Sequence, residues 1–210
     1  MKNKKVVFGL VGFFIVLSAV FMTYFYKVTR VDVKPLPIYG EAGHRIHPFS
    51  FTDQEGRPFS SEDAEGKILV VEYFFATCQG ICPKMNEHLN KVYQQFKGNK
   101  DILFLSHTVD PEEDSAAALK IYSQRFEADP AQWKFLTGDK KELYDKARYS
   151  YLISAQDDTA GVSIDKDFIH DNHFVLVDRH GQIRGMYNGL DIVEVSKLIT
   201  DLKGLLQTND

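Results

Sequence analysis

Cysteine is nearly absent from this chain of 210 residues: there are two, Cys78 and Cys82. That scarcity excludes a disulfide-stapled scaffold, and a domain of this length buries a core without staples. It also argues against a structural zinc site, which takes four ligands and here has no second cysteine pair to draw on. A lipid-modified cysteine near the N-terminus is excluded on the same count. Neither sign of charge dominates, with 25 basic and 29 acidic residues and a net charge of -4. The charges are interleaved, no basic stripe forms, and no nucleic-acid partner is expected. Proline is sparse too, and the last of the seven is Pro130. There is no internal repeat and no low-complexity tract.

What is present begins with one long uncharged run. After a short tail, residues 1–5, containing Lys2, Lys4 and Lys5, residues 6–26 read VVFGLVGFFIVLSAVFMTYFY. A helix needs roughly 20 apolar residues to cross the ~30 Å hydrocarbon layer, and this run suffices. A cleaved signal would have a shorter apolar region ending in a small-x-small site. The best such site, Ser18-Ala19-Val20, lies inside the run. A single-pass transmembrane anchor is therefore the expectation. Lys27, Arg30 and Lys34 follow the run, so basic residues flank both ends and the charge rule does not choose an orientation. Residues 27–48, with Pro35, Pro37, Gly40, Gly43 and Pro48, read as a tether, and residues 49–207 as one domain.

Within that domain strands and helices alternate. A hairpin is expected around Asp53-Gln54-Glu55-Gly56, and residues 68–75 (ILVVEYFF) suit a strand covered on both faces. Helical spacing follows over 83–96 through Met85, Leu89, Val92 and Phe96. Residues 102–108 read as strand and 111–126 as helix, with Ala118, Leu119, Tyr122 and Phe126 on one face. A short strand (133–136), a short helix (143–149), a hairpin across Asp178-Arg179-His180-Gly181 and a last helix (192–206) complete the chain. The fold class expected is α/β, a three-layer domain behind one N-terminal transmembrane helix.

The cysteines form C-x-x-x-C at a strand-to-helix corner, and Pro83 fits the first helical turn. A helix N-terminus lowers thiol pKa, and thiolate both attacks disulfides and binds soft metals. The plain alternative, two unrelated cysteines packed as small apolar residues, sits badly with their spacing and place. Of seven histidines, His44, His47, His88 and His180 are expected at the surface, and His107 as a satisfied buried histidine at a strand end. His170 and His173 precede the strand expected at 174–177. Two thiolates and one imidazole make a soft, low-coordinate set suited to copper(I), although zinc also accepts two Cys and a His.

These residues resemble the Sco/SenC family of copper chaperones for cytochrome c oxidase. The segment Phe75-Ala76-Thr77-Cys78-Gln79-Gly80-Ile81-Cys82-Pro83 is similar to the family's C-x-x-x-C-P signature, and Val109-Asp110-Pro111 to its V-D-P. His170, eight residues before Asp178 and eleven before Gly181, stands at the spacing of the family's histidine, flanked here by Ile169 and Asp171 where the family has Asp and Ser or Thr. The resemblance implies a thioredoxin-like fold. It names Cys78, Cys82 and His170 as ligands of copper, copper(I) foremost with copper(II) open. The expected place is the cytoplasmic (inner) membrane, the domain on the periplasmic or other extracytoplasmic side. The expected recipient is the binuclear copper centre of oxidase subunit II, or another copper protein. A second reading makes the same pair a thiol–disulfide oxidoreductase reducing that subunit's cysteines. Thioredoxin-type oxidoreductases place a proline before the strand where this chain carries histidines.

Overall fold

The computed structural model describes residues 2–29, 35–153 and 172–208. These fall into two units, Met1–Pro35 and Leu36–Asp210. The first is a single helix, α1 (Lys2–Thr29). Its stretch Val6–Phe25 has a mean hydropathy of 2.5 and none of its residues is buried, so by length and composition it can cross a membrane.

The second unit is built on a seven-stranded sheet. In chain order its elements are β1 (Ser50–Asp53), β2 (Pro58–Ser60), β3 (Ile68–Phe74), α2 (Cys82–Phe96), β4 (Ile102–Thr108), α3 (Ala116–Ser123), β5 (Trp133–Thr137), α4 (Lys140–Asp145), β6 (His173–Val177), β7 (Ile183–Asn188) and α5 (Ile192–Gln207). The strand order is β2-β1-β5-β4-β3-β6-β7. β3, β4 and β5 run parallel, and every other pairing is antiparallel. The C-terminal ends of the three parallel strands therefore share one end of the sheet with the start of β6 and the end of β7.

All seven residues of β3 and all seven of β4 are buried, which explains why these runs are apolar without alternation. Their side chains nevertheless divide by parity. Ile68, Val70, Phe74, Ile102 and Phe104 pack with Met85, Leu89 and Val92 of α2, Leu119 and Tyr122 of α3, and Val195, Leu198 and Leu202 of α5. Leu69, Val71, Tyr73, Leu103 and Leu105 pack on the other face with Phe49, Phe51, Leu143, Tyr144 and Tyr151. Each such aliphatic side chain, fully buried, contributes about 1.5–3 kcal/mol, so both layers are needed to hold the sheet.

The hairpin expected at 53–56 is β1–β2, with Ser50 opposite Ser60. The helix expected over 111–126 starts later, at Ala116. The Ser115 side chain caps it by accepting from Ala118 N, and residues 124–126 close it as a 3₁₀ turn. The helix expected over 143–149 is α4 running into a π-turn at Lys146–Ser150. Residues 36–48 are bonded to the domain. Arg184 Nη2 donates to Leu36 O (2.8 Å), Tyr39 forms an antiparallel bridge with Ile183, and Ile46 N donates to Gly181 O (2.8 Å).

Candidate metal centre

β3 delivers the chain to Phe74, and a turn closed by Cys78 N donating to Phe75 O (3.2 Å) brings Cys78 to the N-terminus of α2. Cys82 is the first residue of α2, with Pro83 next, where its missing N–H costs nothing. Cys78 is half-buried, Cys82 is buried, and both are free thiols.

The two thiols are electrostatically unequal. Burial works against a Cys78 thiolate, but hydrogen bonds from the Cys82 thiol and from the N–H groups of Cys82, Gly80 and Ile81 outweigh it. Cys78 is thus held below the ordinary thiol value. Cys82 is pushed up to about 12, by burial first and then by its bond to Cys78. Of the two, Cys78 is therefore the more readily ionised and Cys82 the one that holds its proton. Phe75 N–H also points to Cys82, the one bond lowering its value.

Below the corner lies a carboxyl group that sequence reasoning missed. Glu72 on β3 is fully buried, with Oε1 accepting from Ser106 Oγ (2.6 Å), whose oxygen in turn accepts from Trp133 Nε1 (2.9 Å). Its Oε2 has no hydrogen-bond partner among the described residues. Burial pushes Glu72 up to about 8, against the Ser106 bond. The signal was a single acid inside ILVVEYFF. A second missed group is Asp114, buried after β4, whose carboxylate accepts from Ala76 N (3.0 Å to Oδ2) and from Thr108 Oγ1 (2.5 Å). Nothing in the polar stretch Asp110-Pro111-Glu112-Glu113-Asp114 distinguished it.

The histidines divide as follows. His47 and His180 are exposed and His44 is half-buried. His88, expected at the surface, is buried: its Nδ1 pairs with Gly189 O (2.7 Å), tying α2 to the β7–α5 connection. Three residues after Met85 and four before Val92, it lies on the apolar stripe of α2, and that spacing was the overlooked signal. His107 is buried, but neither ring nitrogen has a partner among the described residues, so the expected satisfied histidine is not found. It faces away from α2, stacked on Tyr73 (5.0 Å between centroids), and burial takes it down to about 3. His173 opens β6 opposite Asn188 and shares the strand parity of Val175 and Val177, which belong to the face away from α2. His170 lies outside the described residues. The structure thus brings Cys78 and Cys82 together. Among the described residues no group of three His, Cys, Asp or Glu side chains is placed to hold an ion.

Comparison with known proteins sets this corner among relatives. A family profile described as SCO1/SenC matches residues 39–207. The SCO1 protein homolog of Bacillus subtilis (strain 168) is 28% identical over 162 residues, 76% of this chain and 82% of that protein. BsSco, a member of the Sco family of cytochrome c oxidase assembly proteins in which a disulfide switch has been identified, superposes with a TM-score of 0.67 at 27% identity, covering 84% of this chain and 99% of its own. Bradyrhizobium japonicum ScoI with copper bound has the same fold, with a TM-score of 0.59 at 23% identity over 77% of this chain and 99% of its own.

Proposed function

The chain belongs to the SCO1/SenC family, and we propose that it is a membrane-anchored copper chaperone. In this reading Cys78, Cys82 and His170 hold one copper ion and pass it to the binuclear copper centre of cytochrome c oxidase subunit II. The observation that carries the proposal is the unequal thiol pair at the start of α2. Cys78, held below the ordinary thiol value, gives up its proton more readily than Cys82, and copper(I), a soft ion, favours thiolate over harder donors. Cys82 releases its proton as the metal binds, which makes uptake pH-dependent. His170 completes the set by the family spacing, while the strand parity of His173 turns that imidazole to the other face. Relatives of this family include a copper-bound ScoI and a cytochrome c oxidase assembly protein, which supports the cargo and the recipient. The apolar helix supports a membrane anchor, and the family resemblance supports the extracytoplasmic side for the domain.

The same asymmetry favours one second reading, a thiol–disulfide reductase. The Cys78 thiolate attacks a target disulfide and forms a mixed disulfide. Cys82, deprotonated, then attacks Cys78 sulfur and releases the target dithiol, leaving the Cys78–Cys82 pair oxidised.

Anaerobic copper(I) titration of the detergent-solubilised full chain against a chelator separates the two. One equivalent should be held, and Cys78→Ala or Cys82→Ala should each weaken it by more than about a hundredfold, beyond what outer partners of a metal site contribute. His170→Ala should weaken retention yet leave the disulfide able to form, and His173→Ala should stay near wild type. Unchanged binding in either cysteine variant refutes the site, and the reverse histidine pattern moves the third ligand to His173. Copper retention indifferent to every histidine, beside reduction of a model disulfide, favours the reductase. For sidedness, protease added to cells with a permeable envelope and an intact inner membrane should digest the domain. Full protection would place it in the cytoplasm.

A further inference from the structure

The loop that carries Cys78 is anchored from outside its own helix and strand. Phe74, the last residue of β3, pairs with Thr108, the last of β4, and its carbonyl accepts from Val109 N (2.8 Å). Two residues on, Ala76 N donates to the carboxylate of Asp114, at 3.0 Å to Oδ2 and 3.3 Å to Oδ1. Asp114 is held in turn by Thr108 and Asp110, which are themselves bonded to each other. Thr108 Oγ1 donates to its Oδ2 (2.5 Å), the same hydroxyl accepts from Asp110 N (2.9 Å), and Asp114 N donates to Asp110 O (2.8 Å). Asp114 and Thr108 are both buried, so water does not stand in for either partner. The β4 exit thus reaches the loop past Phe75 through a carboxylate on a peptide N–H two residues ahead of the first sulfur.

We propose that Asp114 is a positioning residue of the metal site: by holding Ala76 N–H it fixes the turn that aims Cys78 Sγ at the N–H groups of Gly80, Ile81 and Cys82. The inference rests on the reading of Cys78 and Cys82 as copper ligands, but it concerns the loop rather than the ligands. Asp114 touches no metal and transfers no proton. Without it, Ala76 N–H has lost a buried acceptor, and the turn is free to adopt conformations in which the Cys78 sulfur leaves its cradle. Outer partners that orient ligands in this way typically change metal affinity by about 10–100-fold.

The test uses the full chain in detergent and two readouts. The first, independent of metal, is the rate at which Cys78 of the reduced protein is alkylated at neutral pH, mapped by mass spectrometry. The second is copper(I) affinity by chelator competition. Asp114→Ala should slow alkylation and weaken copper(I) binding roughly tenfold. Asp114→Asn, whose amide oxygen still accepts from Ala76 N, should restore both. The control is Asp178→Ala, at the other end of the sheet, which likewise removes a buried carboxylate that holds backbone N–H groups, those of His180 and Gln182. It should lower thermal stability and leave both readouts at wild type. If Asp114→Ala matches wild type in both readouts, or Asp178→Ala moves them equally, the inference is overturned. If Asp114→Ala does not fold, Thr108→Val takes its place, with slowed alkylation in support and an unchanged rate against. Wild-type protein that holds no copper(I) would refute the copper reading alone, and alkylation would still decide the role of Asp114.

Discussion

At the scale of single residues, the chemistry was written plainly where residue type alone carries it. Two cysteines at a strand-to-helix corner are conspicuous in any sequence, and the structure places Cys82 at the first position of α2 and Cys78 on the turn that leads into it. Glu72, His88 and Asp114 were illegible for a common reason: each acquires its character from a partner distant in sequence, namely Ser106, Gly189 and Ala76. Glu72 makes a measurable consequence. Its proton is retained in the folded state up to about pH 8, whereas the unfolded chain loses it near the ordinary value of 4.5. The stability this group contributes is complete below pH 4.5 and is lost as pH rises through 8. The slope is up to about 1.4 kcal/mol per pH unit across that window. Glu72→Gln should abolish that part of the decline, so denaturant unfolding at pH 5 and pH 8 should show the variant gaining on wild type at the higher pH. Parallel declines would show that Glu72 is not buried as a neutral acid. His107 acts in the opposite sense. The unfolded chain protonates it below 6.5 and the native state only near 3, so its contribution is present above 6.5 and is lost as pH falls towards 3.

At the scale of elements, β3, β4 and α2 were readable because an apolar run and a 3.6-residue stripe each have one physical interpretation. Boundaries were less so, and α3 shows why. Both Asp114 and Ser115 are residue types that cap helices. Which of them does so depends on Ala76 and Thr108 having engaged the Asp114 carboxylate, and that leaves Ser115 to accept from Ala118 N. The division of labour predicts separable effects. Ser115→Ala should lower stability by about 1 kcal/mol, as loss of a cap does. A thermal melt of the variant should shift by a few degrees, with copper(I) affinity unchanged. A drop in affinity would mean that the cap and the loop anchor are one unit.

For the whole molecule, alternation of strand and helix gave the three-layer architecture, but strand order lies beyond local patterning. That β1 lies between β2 and β5, on the far side of β4 from β3, is decided by which apolar faces find each other. Residues 36–48 are a second case. Their prolines and glycines read as linker, whereas from Leu36 onward they are bonded to the domain through Arg184, Ile183 and Gly181. That attachment bears on self-association. An open sheet presents unpaired backbone groups along its two outermost strands, an invitation to a second copy. On one side β2 is three residues long and begins with Pro58, which has no N–H to offer. On the other, Tyr39 occupies the outer side of β7 at Ile183. A soluble fragment starting at Leu36 should therefore run as a monomer in size-exclusion chromatography. One starting at Phe49, stripped of Tyr39, should form dimers or aggregates through β7, and equal monomeric behaviour of both fragments would refute this. The stretch ahead of β1 is thus a guard against edge-to-edge polymerisation.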